Sequence, residues 1–170
     1  MDLKKIIRDI PDFPKKGIMF RDITTILKDP LYFNEALTQM EAQVADLDFD
    51  LIVSAESRGF IFGAPMAVRL NKGLILARKV GKLPAATISK SYSLEYGEDS
   101  IEIHKDAIKP GQKIILVDDL LATGGTAKCI CDIVTDMGGQ IMCNLFLIEL
   151  TALGGREILK DYNVKTVLEY

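Results

Sequence analysis

Apolar and polar positions along this 170-residue chain follow two alternating rhythms. Leu37, Met40, Val44 and Leu47 recur at helical spacing behind an Asp29-Pro30 start signal, which predicts an amphipathic helix over 31–47. The apolar run from Asp50 to Ala55 predicts a buried strand, a helix follows from Gly59 to Leu70, and Leu74 to Ala77 predicts a second strand, together a βαβ unit. The rhythm then changes. Thr87, Ser89, Ser91 and Ser93 alternate with mixed partners, Ile101 and Ile103 alternate with Glu102 and His104, and Gly97-Glu98-Asp99 offers turn chemistry, so 86–105 is expected to form a polar hairpin or mobile arm. After Pro110-Gly111, Ile114 to Val117 is typical of a central parallel strand. Ala127, Ile130, Cys131, Val134 and Met137 mark the buried face of a helix stopped by Gly138-Gly139, and Ile141 to Leu147 predicts the next strand. Such alternation implies an α/β fold, a parallel sheet covered by helices on both faces, with ligand where strands end and helices begin.

Composition narrows the picture. A 48% hydrophobic content is ample for one core, and neither repeats nor linker-like tracts divide the chain, so 1–170 is expected to be a single domain. A net charge of −3 gives no basic field for nucleic acid or an anionic membrane. The charged stretch from Met1 to Ile10 lacks the apolar core of a secretory signal, and no run approaches a membrane span, which points to the cytoplasm. Cys129, Cys131 and Cys143 have no paired zinc-type spacing and are expected to be free buried thiols. The lone histidine, His104, is expected to face solvent on its strand.

The chemistry concentrates in Leu116-Val117-Asp118-Asp119-Leu120-Leu121-Ala122-Thr123-Gly124-Gly125-Thr126-Ala127. Neither G-x-x-x-x-G-K-S/T nor G-x-G-x-x-G occurs, yet Ala122 to Thr126 at a helix start offers the same physics. Glycines let backbone N–H groups converge and the helix dipole favours an anion. Thr123 and Thr126 add hydroxyls. Asp118 and Asp119 beside an anion cradle need sugar hydroxyls or a divalent cation, so the ligand suggested is a phosphorylated ribose. The plainer alternative is a strand end followed by a helix cap. Strand alternation should splay the two aspartates apart, which argues against a glycosidase-type carboxylate pair.

This stretch resembles the phosphoribosyl-diphosphate (PRPP) motif of type I phosphoribosyltransferases, and the resemblance to the adenine-specific branch covers nearly the whole chain. Phe13 to Ile23 is similar to that family's N-terminal hood, and Ala55 to Phe60, Arg78 to Pro84 and Tyr92 to Gly97 are similar to its other signature segments. The resemblance implies the type I fold, with a small hood within about 1–30, a mobile arm about 80–106, and a central parallel sheet flanked by helices. It implies transfer of the phosphoribosyl group from PRPP to N9 of adenine, with Mg²⁺ as cofactor, in a homodimer serving purine salvage.

Roles carried over residue by residue place Asp118, Asp119, Ala122, Thr123, Gly124, Gly125 and Thr126 on the ribose and phosphate of PRPP, with Asp118 and Asp119 also helping to hold Mg²⁺. Ser57, Arg58, Arg78, Lys79 and Lys82 would face pyrophosphate, with a cis Glu56-Ser57 peptide. Read without the resemblance, Arg78, Lys79 and Lys82 are a solvated basic loop and Ser57 a helix cap. Met19, Phe20, Arg21 and Leu120 would bind adenine, largely through backbone groups near Met19 and Arg21, while Phe20 could equally be core. Glu95 would be the acid–base group, framed by Tyr92 and Tyr96 in the arm. The tripeptide Leu94-Glu95-Tyr96 recurs as Leu168-Glu169-Tyr170, and the second copy is taken as chance. Ala122 stands where enzymes for hypoxanthine or guanine carry an Asp, which points to adenine. The competing readings are a non-catalytic PRPP-sensing regulator and a phosphoribosyltransferase for another base.

Overall fold

The computed structural model describes residues 1–94 and 97–170. Seven strands form the main sheet: β3 (Leu51–Ala55), β4 (Gly73–Lys79), β5 (Thr87–Leu94), β6 (Gly97–His104), β7 (Lys113–Leu121), β8 (Gln140–Glu149) and β9 (Val164–Glu169), in the order β5-β6-β4-β3-β7-β8-β9. The five strands from β4 to β9 are parallel, and the β5–β6 hairpin adds an antiparallel edge through Arg78↔Glu102 and Lys79↔Ile101. A separate hairpin, β1 (Arg8–Pro11) and β2 (Met19–Asp22), forms a two-stranded sheet of its own.

Alternate residues of the central strands feed two cores. Ile52, Ile115, Val117, Leu145 and Leu147 pack with helices α2 (Pro30–Gln43) and α3 (Gly59–Arg69), while Val53, Leu116 and Phe146 pack with helix α4 (Gly125–Asp136). Ile114, Ile115, Leu116 and Val117 are fully buried. Burial on both faces explains their unbroken apolar run, each side chain contributing roughly 1.5–3 kcal/mol. Short helices α1 (Thr24–Leu27) and α5 (Gly155–Ile158) complete the chain.

Several expectations shift. The helix expected over 31–47 starts as anticipated, with Asp29 accepting from Leu31 N, but it ends at Gln43, and a turn at Val44 keeps both Val44 and Leu47 on the core. Gly97-Glu98-Asp99 does not form the turn. Leu94 pairs with Gly97, which places Asp99 opposite Tyr92 within β6. There its carboxylate meets the Lys79 ammonium at 2.9 Å, a partner an exposed turn would not supply. Glu102 is only 4% exposed and accepts from the N–H groups of Lys82 and Leu83, each at 3.0 Å. His104 is half-buried rather than solvent-facing, because the segment preceding β5 folds over it and Ala85 N donates to its Nε2 at 3.4 Å.

Cys129, Cys131 and Cys143 are free buried thiols, and burial pushes Cys131 up to about 12 and Cys143 to about 11. Cys129 is buried as well as Cys131 because β5 covers that side of α4, where Cys129 Sγ meets the Lys90 carbonyl at 3.3 Å. Among the described residues no helix is long and apolar enough to cross a membrane.

Candidate active site

From β3 the chain passes through α3 to β4 on one side, and from β7 through α4 to β8 on the other. The crevice outside the carboxyl ends of β3 and β7 is thus the topological switch point, where ligands of open α/β sheets bind. Asp118 and Asp119 lie at the end of β7, and the loop after β3 brings Glu56, Ser57 and Arg58 across from them. Together with Leu120 and Thr126 these residues line a cleft of about 340 Å³.

The two aspartates do not splay. Asp119 N–H turns back to Asp118 Oδ1 at 2.8 Å, Arg58 Nε donates to Asp119 Oδ2 at 2.6 Å, and both carboxyls border the same cleft. Desolvation first, and then the Asp119 charge, push Asp118 well above the ordinary carboxylate range. Gly59 makes this packing feasible, since a Cβ there would stand 2.8 Å from Asp118 Oδ1.

Beyond the aspartates the chain turns at Gly124, whose φ of +86° and Cβ position 2.7 Å from the Gly155 carbonyl oxygen both demand glycine. Helix α4 starts at Gly125 with no side-chain cap. Its first N–H groups lack intrahelical partners and are directed as an anion site requires. The adjoining cavity, about 80 Å³, is lined by Ala122, Thr123, Gly124, Gly125 and Thr126 with Asp118 and Leu120.

The Glu56-Ser57 peptide is cis, as anticipated. Ser57 does not cap α3: the N-cap position belongs to Arg58 and no side chain caps the helix. The basic segment is not a bare positive loop. Arg78 Nη2 and Nε donate to Glu56 at 3.1 and 3.2 Å, Lys79 N also donates to Glu56, and Lys79 Nζ pairs with Asp99. Desolvation, the largest influence on Glu56, raises its pKa, but Arg78 and the Lys79 N–H outweigh it and the net shift is downward. Lys82 is exposed, and Glu102 fixes its backbone. No site role was read for Glu56, Asp99 or Glu102 in the sequence, where each is one acid among 24. Only Glu56, inside the Ala55–Phe60 segment, carried any signal.

Thr126 Oγ1 donates to Tyr92 OH at 2.9 Å, and Tyr92 OH donates to Asp99 at 3.4 Å, so the β5–β6 hairpin is tied both to the first turn of α4 and to Lys79. Burial raises the Tyr92 phenol above its ordinary value. Glu95 and Tyr96 lie outside the described residues. On the N-terminal hairpin Phe20 is half-buried outside both cores, edge-on to Phe13 at 5.1 Å, with the Arg58 guanidinium carbon 5.8 Å from its ring. Met19 is 43% exposed. The Arg21 side chain instead pairs with Asp9 and stacks on Tyr170. The structure thus gathers Ser57, Arg58, Asp118, Asp119, Leu120 and Thr126 around one cleft, with Phe20 beside Arg58, and turns the Arg21 side chain elsewhere.

A phosphoribosyl transferase domain matches residues 25–169. The adenine phosphoribosyltransferase of Halothermothrix orenii is 59% identical over 169 residues, 99% of each chain. The crystal structure of adenine phosphoribosyltransferase from Thermoanaerobacter pseudethanolicus aligns with a TM-score of 0.97 at 50% identity, covering 99% of this chain and 98% of that one. The Saccharomyces cerevisiae enzyme, crystallised with an imino-altritol bisphosphate and adenine, aligns with a TM-score of 0.93 at 37% identity over 98% of this chain and 97% of its own. With the domain matched across most of its length and a relative more than half identical end to end, the chain belongs to the phosphoribosyltransferase family, in its adenine phosphoribosyltransferase branch.

Proposed function

We propose that this chain transfers the 5-phosphoribosyl group of PRPP to N9 of adenine, forming AMP and releasing pyrophosphate, with the whole chain acting as one domain. The observation that carries this reading is the order of groups in the crevice: an anion turn at Gly124–Thr126, the acids Asp118 and Asp119, then Arg58 across the cleft. A ligand with phosphate, diol and a second phosphate group in sequence fits it. The N–H groups of the Ala122–Thr126 turn and the Thr123 and Thr126 hydroxyls take the 5′-phosphate. Asp118 and Asp119 hydrogen-bond the two ribose hydroxyls.

Adenine lies between Leu120 and the hood, its edge read by backbone groups around Met19, Phe20 and Arg21. N9 attacks C1′ as the bond from C1′ to the pyrophosphate oxygen breaks, through an oxocarbenium-like state, and the electron pair leaves with pyrophosphate. Glu95 accepts the N9 proton, and the arm bearing Tyr92 and Tyr96 closes to exclude water. Ser57, Arg58, Arg78, Lys79 and Lys82 face the departing charge, and Arg78 and Lys79 exchange their carboxylate partners for it.

Mg²⁺ fits as a companion of the substrate. Among the described residues no cluster of three His, Cys, Asp or Glu could hold it, whereas one or two carboxylates, here Asp118 and Asp119, beside phosphate oxygens suit it. Held there, the ion would neutralise charge on pyrophosphate. Free thiols suit a reducing cytoplasm, where we set the reaction.

The test is competition. Purified protein with Mg²⁺, PRPP and equal adenine, hypoxanthine, guanine and uracil should yield AMP alone. A different nucleotide would overturn the base assignment, and no product despite bound PRPP would favour a regulator.

A homodimer is also proposed. Leu74 (36% exposed), Leu76 (38%) and Val80 (54%) form an apolar row on and beyond β4, with Val68 of α3 82% exposed. Such a row suits an interface between copies. Light scattering should return twice the 18.8 kDa chain mass, and a monomer at every concentration would refute the dimer.

A further inference from the structure

We infer that Tyr170, just beyond β9, is a positioning residue that sets where the hood stands over the base site. The inference rests on the base-binding role proposed for the hood, but its geometry stands alone. Among the described residues the β1–β2 hairpin shares no strand pairing with the main sheet. Its root is secured by Ile7 and Ile23 in the core and by Arg8, whose guanidinium holds the Asp22 carboxyl down to about 2. Further out, successive side chains of β2 point to opposite faces. Phe20 lies toward Arg58 and the cleft, and Arg21 reaches the other way.

There the Arg21 guanidinium carbon sits 4.0 Å above the centre of the Tyr170 ring. Its side chain is 18% exposed, its Nη1 pairs with Asp9 across the hairpin, and its Nε is buried with no hydrogen-bond partner. Stacking on the ring is therefore what accommodates that part of the guanidinium. Lys4 Nζ lies 4.5 Å from the centre of the same ring.

Tyr170 is itself a firm post. Its N–H donates to the Glu149 carbonyl at 2.9 Å, and its carbonyl oxygen accepts from Thr151 N at 2.9 Å and Thr151 Oγ1 at 2.8 Å. Among the described residues its hydroxyl makes only a long 3.4 Å contact with the Lys4 carbonyl. The ring, not the hydroxyl, joins the hood strand to the sheet. Backbone groups that read an adenine edge tolerate little displacement, so loss of the ring should act on base binding first.

The experiment compares Tyr170→Leu, Tyr170→Phe, Arg21→Met and the Tyr170→Leu/Arg21→Met pair by steady-state kinetics and by hydrogen–deuterium exchange of residues 19–22. Tyr170→Leu should raise KM for adenine about tenfold with KM for PRPP little changed, as expected for a desolvated cation–π contact. Tyr170→Phe should behave as the parent, and the pair should be no worse than either single variant. Exchange in β2 should rise in Tyr170→Leu and not in Tyr170→Phe. An unchanged adenine KM in Tyr170→Leu, or equal rises for both substrates, would overturn the inference. If the parent made no AMP, the proposed function would fail, and exchange alone would then decide whether Tyr170 holds the hood.

Discussion

Replacing Asp119 with asparagine weakens PRPP binding by about 10- to 100-fold and leaves adenine binding to the free protein unchanged. Asp119 is 5% exposed, and its Oδ2 already accepts from Arg58 Nε. Asparagine keeps the shape and one acceptor but loses the charge. A ribose hydroxyl would then meet a neutral amide in place of a carboxylate, and charge-assisted bonds are roughly twice as strong as neutral ones. Arg58 would also lose the partner that holds it across the cleft. Asp118 would respond as well. Part of its upward pKa shift comes from the Asp119 charge, so it should ionise at lower pH in the variant. Calorimetry with PRPP measures the main effect, and an intact affinity would remove the ribose from this carboxylate pair.

Glu95→Gln lowers kcat about 10²- to 10⁴-fold while PRPP binding stays close to the parent value. N9 becomes a nucleophile only as its proton leaves, and glutamine cannot accept that proton. Glu95 directly follows β5 in the sequence, and the hydrogen bond from Thr126 to Tyr92 tethers the β5–β6 hairpin beside the phosphate turn. Burst kinetics first establish that chemistry limits turnover. With that condition met, an unchanged kcat would take the acid–base role away from Glu95. A large rise in the Kd for PRPP with kcat intact would instead assign the arm to substrate capture.

Much of the fold was legible because its signals are local. The unbroken apolar run at Ile114–Val117, the Asp29-Pro30 helix start and the Gly124-Gly125 turn each report a conformation that a few adjacent residues decide. The PRPP motif is legible for the same reason, since strand, acids and turn follow one another in the chain. The Gly97–Asp99 turn was misplaced because hairpin register depends on which cross-strand pairs form, and Tyr92↔Asp99 is such a pair. The helix ending at Gln43 was overrun because Val44 and Leu47 serve the core equally well from a turn.

By itself the sequence determined the alternation of strands and helices, the anion turn and the family, all of which depend on residue types at short spacing. Tertiary structure alone decided which charges meet. Arg58 finds Asp119 from 61 positions away, Arg78 finds Glu56 from 22, and Glu102 reaches the N–H of Lys82 from 20. The order and register of the strands bring these groups within hydrogen-bonding distance, and a carboxylate or guanidinium gains its role from that proximity. The two copies of Leu-Glu-Tyr show the difference most plainly. The first runs from Leu94 of β5 into residues outside those described, and the second places Tyr170 beneath Arg21, a position only the folded sheet defines.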